Sequence, residues 1–182
     1  MGFTLSEVFK CEPDDEALRL ISEFAAMVKW WVEKARDFHA GSFEAFRKRH
    51  YGEWVERWPN LSAQLIHTSA ASAYSLMRLY KKPEERPKIA EMDVQHAVLH
   101  PKMLKLSGGK LRVSVSKGDY AYVALKPISV YQSRLLEQAE AGWWRLGQAV
   151  LTRGWVAISF VADDLDEQML SKVSLLVGGE KQ

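Results

Sequence analysis

The chain has 182 residues, 47% hydrophobic and 26% charged, with a net charge of +2 and one cysteine. That length suits one substantial domain, or a small domain carrying an insertion, and the composition is that of an ordinary globular protein rather than a disordered or fibrous one. The lone Cys11 excludes an internal disulfide and a cysteine-based metal cluster.

FTLSEVF (residues 3–9) alternates as a short strand, and Pro13-Asp14-Asp15-Glu16 reads as a helix start, with proline where its missing N–H does no harm and acids at the positive end of the dipole. From Glu16 to about Phe38, Leu18, Ile21, Phe24, Ala25, Val28, Trp31, Val32 and Ala35 recur at helical spacing. Ser42 caps an expected second helix, Phe43 to Trp58, whose aromatic face interleaves with Arg47, Lys48 and Arg49. After Pro59-Asn60, a third helix is expected from Leu61 to Tyr80, ended by Lys81-Lys82-Pro83. Beyond Pro87 the period changes to two. DVQHAVL (93–99), MLKL (103–106), KLRVSVS (110–116) and DYAYVAL (119–125) are expected strands with SGG and KG turns. A short helix over 131–141 and a hairpin of 148–152 with 155–162 complete the pattern. It predicts an α+β fold: a small antiparallel OB-like barrel with a three-helix insertion after the first strand.

The charge is uneven. Residues 78–126 hold eleven bases (Arg78, Lys81, Lys82, Arg86, Lys88, Lys102, Lys105, Lys110, Arg112, Lys117 and Lys126) against five acids, a local excess that fits a polyanion-binding face or a solvated sheet surface. The absence of a secretory leader in MGFTLSEVFKCEPDDE and the single thiol point to the cytoplasm. No apolar run approaches the roughly 18 residues that span a bilayer, so no membrane association is expected.

Catalytic patterns are weak. His96 and His100 are four apart but sit in a strand-like stretch ending at Pro101, and a third ligand is missing. Asp163-Asp164 and Asp166-Glu167 resemble paired metal-binding carboxylates, yet fall in an acidic terminal segment where such residues solvate the chain. Gly108-Gly109-Lys110 lacks the following helix of a phosphate loop and reads as a turn. No metal or cofactor is expected. Binding chemistry remains: lysines and arginines near Tyr120, Tyr122, Trp143, Trp144 and Trp155 would neutralise phosphates and stack bases, unless those rings belong to the core.

Three stretches carry a family resemblance. Leu61-Ser62-Ala63-Gln64, with the alanine-rich helix running to Leu79-Tyr80, is followed by LKLSGGKLRVSVSKGDYAYVAL and then GQAVLTRGWVAISFVADD. In order and spacing these resemble the amino-terminal half of TnpB proteins, the RNA-guided nucleases of insertion sequences. The resemblance implies a wedge-like barrel formed by residues 1–10 and 87–162, a helical recognition insertion over 11–86, and an acidic tail at 163–182. It places Gln64 and His67 near the contacted DNA motif. His67 stands where many members carry glutamine, and Ser62 replaces their proline. The family's RuvC-like nuclease domain and zinc ribbon have no counterpart in these residues, so a non-enzymatic module is expected.

The resulting expectation is a module that binds RNA, DNA or both. Arg78, Lys81, Lys82, Arg86, Lys88, Lys102, Lys105, Lys110 and Arg112 would meet phosphates, and the 61–80 helix would face a groove. The rival reading is an interaction protein that self-associates or docks onto a full-length nuclease through Phe43, Tyr51, Trp54 and Trp58. A small barrel enzyme is the third reading, with no convergent acid, base or nucleophile set to support it.

Overall fold

The computed structural model describes residues 2–35, 42–80, 82–85, 88, 91–163, 171 and 174–176. Lys81, Arg86 and most of the acidic tail lie outside the described residues, as does the expected end of the first helix at Phe38.

Among those residues seven strands form one curled antiparallel half-barrel, in an α+β fold. The strands are β1 (Phe3–Pro13), β2 (Ala97–Leu99), β3 (Leu104–Ser107), β4 (Lys110–Ser116), β5 (Asp119–Lys126), β6 (Arg145–Leu151) and β7 (Trp155–Ala162), in the order β2-β6-β7-β1-β5-β4-β3. Three helices, α1 (Asp15–Ala35), α2 (Phe43–Arg57) and α3 (Gln64–Arg78), lie between β1 and β2 in the chain, and α4 (Val130–Glu140) lies between β5 and β6.

β1 holds the sheet together by changing partners along its length. Phe3 to Lys10 pair with β7, whereas Lys10 to Pro13 pair with β5. The edge of β1 not used by β7 is met by α4: the buried Gln132 donates from Nε2 to the Val8 carbonyl and to Glu7 Oε1, both at 2.9 Å. Its Oε1 accepts the Ile128 N–H at 3.0 Å. One amide thereby ties the Val8 carbonyl of β1, the Glu7 side chain and the Ile128 N–H of the loop before α4 together.

β1 runs further than its alternation predicts, ending at Pro13, and the helix follows at once, starting at Asp15 behind a cap supplied by Asp14. Asp14 Oδ1 accepts the Ala17 N–H at 2.8 Å, Oδ2 accepts the Tyr122 N–H at 3.1 Å, and its own N–H donates to the Tyr122 carbonyl at 2.9 Å. A single residue caps α1 and fastens that cap to β5.

α1 packs against α3 and against β1, β2 and β5. Close approach to α3 rests on small side chains: Ser69, Ala70 and Ala73 are fully buried. The buried Trp31 Nε1 donates to Ser69 Oγ at 3.1 Å. The aromatic face of α2 turns inward, joining Trp30 and Trp31 in a ring cluster with Phe46, Trp54 and Trp58 at centroid spacings of 4.9–5.8 Å. Trp54 and Trp58 are buried and Phe43 half-buried; of the four residues of the expected self-association face, Tyr51 is the exposed one. Helix and sheet residues share one continuous apolar core, from Trp31 and Leu65 to Phe9, Val113 and Phe160.

No helix among the described residues is long and apolar enough to cross a membrane.

Candidate nucleic-acid interface

The most coherent polar and aromatic surface is the outer face of β3, β4 and β5. Alternation drives Leu111 and Val113 of β4, and Ala121, Val123 and Leu125 of β5, into the core, so Lys110, Arg112 and Ser114, with Tyr120, Tyr122 and Ala124, face outward. The β3–β4 turn is Gly108-Gly109, with φ of 60° and 74°. Two successive left-handed residues twist a two-residue hairpin in the sense the strands require, and glycine adopts them without a Cβ clash. That turn sets the register, in which Ser107 pairs with Lys110 and Lys105 with Arg112; Arg112 in turn pairs with Tyr122 and Ser114 with Tyr120.

Lys105, Arg112 and Tyr122 therefore form a row across three strands. The Arg112 guanidinium lies 4.4 Å from the centroid of the Tyr120 ring, a diagonal contact on the same face. Tyr120 and Tyr122 are 40% and 43% exposed, large values for tyrosines in a sheet. The next residues on this face are Lys126, which pairs across to Lys10 of β1, and Glu12, whose Oε2 lies 3.6 Å from Lys126 Nζ. Five cations (Lys10, Lys105, Lys110, Arg112 and Lys126) share the face with Glu12 and two exposed tyrosines. Trp155, paired with Lys10 and 43% exposed, continues it across β1.

The expected site residues divide into two groups. Lys105, Lys110 and Arg112 are on this face. Lys102, exposed in the 3-10 turn Pro101–Met103 just before β3, lines a cavity of about 530 Å³ with His100, Lys105 and Arg145. The Lys102 N–H donates to His100 Nδ1 at 3.1 Å. Burial, then His67 and Lys102 nearby, push the His100 imidazole below its ordinary pKa. His67 is exposed on the first turn of α3 with its ring centroid 6.5 Å from His100 and 5.6 Å from Phe43, so it borders the Lys102 end of this surface. Gln64 is the first residue of α3, half-buried, its N–H held by Ser62 Oγ at 3.3 Å.

Arg78, Lys82 and Lys88 form the second group. They are exposed at and beyond the opposite end of α3, about 20 Å along the axis from Gln64 at 1.5 Å per residue. Lys81 and Arg86 of the same basic stretch lie outside the described residues.

Among the aromatics, Trp143 and Trp155 are partly exposed, while Trp144 is buried with its Nε1 donating to Gln138 Oε1 at 2.9 Å. Lys10 and Lys126 were not among the expected site residues. Their signal was the alternation of β1 and β5, which places both on the outward parity, but only the register shows them opposite each other. Of the acids weighed as metal ligands, Asp163 is engaged by Arg145 at 2.7 Å, which lowers its pKa. Among the described residues no group of three or more His, Cys, Asp or Glu side chains is arranged to hold a metal ion.

No family model matches the sequence. A 62-residue stretch is 31% identical to the uncharacterized protein MJ0752 of Methanocaldococcus jannaschii, covering 34% of this chain and 82% of the archaeal one. The chain belongs to the MJ0752 family. The match to MJ0752 spans about a third of the chain and brings no activity with it, so the function of this member of the MJ0752 family has to be argued from its surface.

Proposed function

We propose that the protein is a nucleic-acid-binding module, for RNA, DNA or both, that carries no catalytic site of its own and uses the outer face of β3–β4–β5. The observation that carries this reading is the Arg112–Tyr120 contact within the Lys105–Arg112–Tyr122 row, at 4.4 Å on an exposed sheet face. Cations beside upward-facing rings can neutralise phosphates and stack bases together, the combination that single-stranded-nucleic-acid platforms employ. In the same proposal the half-barrel is an OB-like wedge, α1–α3 are its insertion after β1, and both derive from a TnpB-like ancestor, with guide RNA or target-adjacent DNA as the ligand. The order of one strand, three helices and then the remaining strands supports that view.

The test is fluorescence anisotropy with labelled RNA and DNA oligonucleotides across a salt series. If all five face cations engage a single strand, the logarithm of affinity falls against that of salt with a slope of about −3.5. Absence of binding to every oligonucleotide at about 50 mM salt overturns the proposal.

A further inference from the structure

Next to the tyrosine platform, a cleft opens between the loop joining α2 to α3 and the β4–β5 hairpin. Two adjoining cavities, about 640 and 740 Å³, share Pro59, Asn60, Leu61, Ser116, Asp119 and Tyr120 as walls. Each is within the roughly 300–1,000 Å³ of small-molecule sites. Trp58 and Glu23 line the first of them. The cleft is built rather than incidental: the Ser62 N–H donates to the Val115 carbonyl at 2.8 Å, pinning the loop to the hairpin. Trp58 Nε1 donates to Glu23 Oε2 at 3.0 Å, and Ser116 Oγ donates to Asp119 Oδ2 at 2.7 Å. Tyr120 belongs to both features, since it meets Arg112 on the platform and walls the cleft.

The chemistry of the two areas differs. The platform is cationic and takes phosphate. In the cleft, Glu23 and Asp119 each spend one oxygen on the internal bond named above. A carboxylate has about four acceptor positions, so each keeps lone pairs to offer. Glu16, Arg19 and Arg57 line the first cavity as well and Lys117 the second, so the cleft is balanced in charge; what sets it apart from the platform is that Glu23 and Asp119 can accept hydrogen bonds from exocyclic amines. Carboxylates pair with the amino group of cytosine in this way.

Resting on the nucleic-acid reading above, we infer that the ligand is single-stranded and that one base turns off the Tyr120–Tyr122 platform into this cleft. There an amino-bearing base edge, cytosine N4 or adenine N6, meets Glu23 and Asp119. A paired base cannot enter, because its face and Watson–Crick edge are occupied. Thymine and uracil present an oxygen at the corresponding position and meet carboxylates with lone pair against lone pair.

The experiment measures anisotropy of labelled oligo(dC), oligo(dA) and oligo(dT), each about twelve nucleotides and therefore within the range one such fold covers. Binding of oligo(dC) and oligo(dA) is expected to be about tenfold tighter than oligo(dT) at one salt concentration. Excess unlabelled duplex should not compete as well as unlabelled oligo(dC). In the double variant Glu23→Ala, Asp119→Ala, both acceptors are removed, and the preference should fall to about onefold while oligo(dT) affinity is held or raised. Retained oligo(dT) binding also shows that the variant is folded. Equal wild-type affinity for the three oligonucleotides, or a preference unchanged in the double variant, overturns the cleft assignment and leaves the platform standing. Failure of all three to bind overturns the platform itself.

Discussion

The guanidinium of Arg112 lies 4.4 Å from the ring centroid of Tyr120, and its Nε is buried without a hydrogen-bond partner. A planar, weakly hydrated cation suits this position, because the ring face compensates for part of the lost water. Lysine would keep the charge but lose the flat stack. Arg112→Lys is therefore expected to keep the salt slope of oligonucleotide binding and weaken affinity, whereas Arg112→Ala weakens affinity and makes the slope shallower by about 0.7. Anisotropy titrations at several salt concentrations separate the two effects. Equal slopes in both variants would show that Arg112 does not meet a phosphate.

Gln132 fixes the bend at which β1 leaves β5. Leucine at this position fills similar space and leaves the Val8 carbonyl and the Ile128 N–H without their partners. Val8 and Ile128 are themselves exposed and their bonds to Gln132 part-buried, so water takes over some of the lost pairing and Gln132→Leu should destabilise by about 1 kcal/mol, the lower end for an unpaired polar group. Urea unfolding followed by circular dichroism reads this as a lower midpoint.

The β6–β7 ladder carries a register shift between Leu146 and Ala149, and Gly147 sits inside it. A Cβ added at Gly147 would fall 2.9 Å from Ser159 Cβ, closer than such atoms approach, and 3.3 Å from Val161 Cγ2. Gly147→Ala should therefore cost about 1–3 kcal/mol through overpacking. Adding Ser159→Gly removes the nearer atom, and the double variant should regain part of the loss. A double-mutant cycle in urea gives the coupling.

Cys11 is buried, and burial pushes its thiol pKa up to about 11 from 9.0. Because the folded state holds this proton more tightly than the unfolded chain, the associated stability is complete below pH 9 and is lost as pH rises through about 11. The difference in urea midpoint between wild type and Cys11→Ala should shift over that window and stay level below it. Alkylation at pH 8 should likewise be slow in the native protein and fast in urea, since the thiolate is the nucleophile.

The hairpin KLRVSVSKGDYAYVAL could be read almost in full from its alternation and its Lys117-Gly118 turn, and β4 runs Lys110–Ser116 as that pattern requires. DVQHAVL alternates no worse, yet only Ala97–Leu99 is strand. As an edge element paired to β6 alone, β2 has one ladder to hold it, and His96 instead places its ring 6.2 Å from Phe24 of α1. Local alternation does not report how many neighbours a strand will have. The inward turn of α2 was equally hidden, because an aromatic face looks the same whether it meets a partner protein or Trp30 and Trp31. For the candidate site, lysines and arginines were visible as a run along the chain. Cross-strand register divided that run, gathering Lys105, Lys110 and Arg112 with Lys10 and Lys126, while Arg78 stands in the last turn of α3 and Lys82 and Lys88 follow it outside any strand.

The handover at Lys10 also has a bearing on how the chain is made. β1 leaves the ribosome ahead of the other six strands described, yet both strands that flank it begin only at Asp119 and Trp155. Until those arrive, an eleven-residue segment with Phe9 and Cys11 on one face has nothing to pair with. The two outer ladders, β5-β4-β3 and β2-β6-β7, are separate sheets until β1 is inserted. Such distant closure makes for slow assembly and a period of exposure to misassociation. β1 is thus the keystone of this arch, cut before its neighbours and set after them.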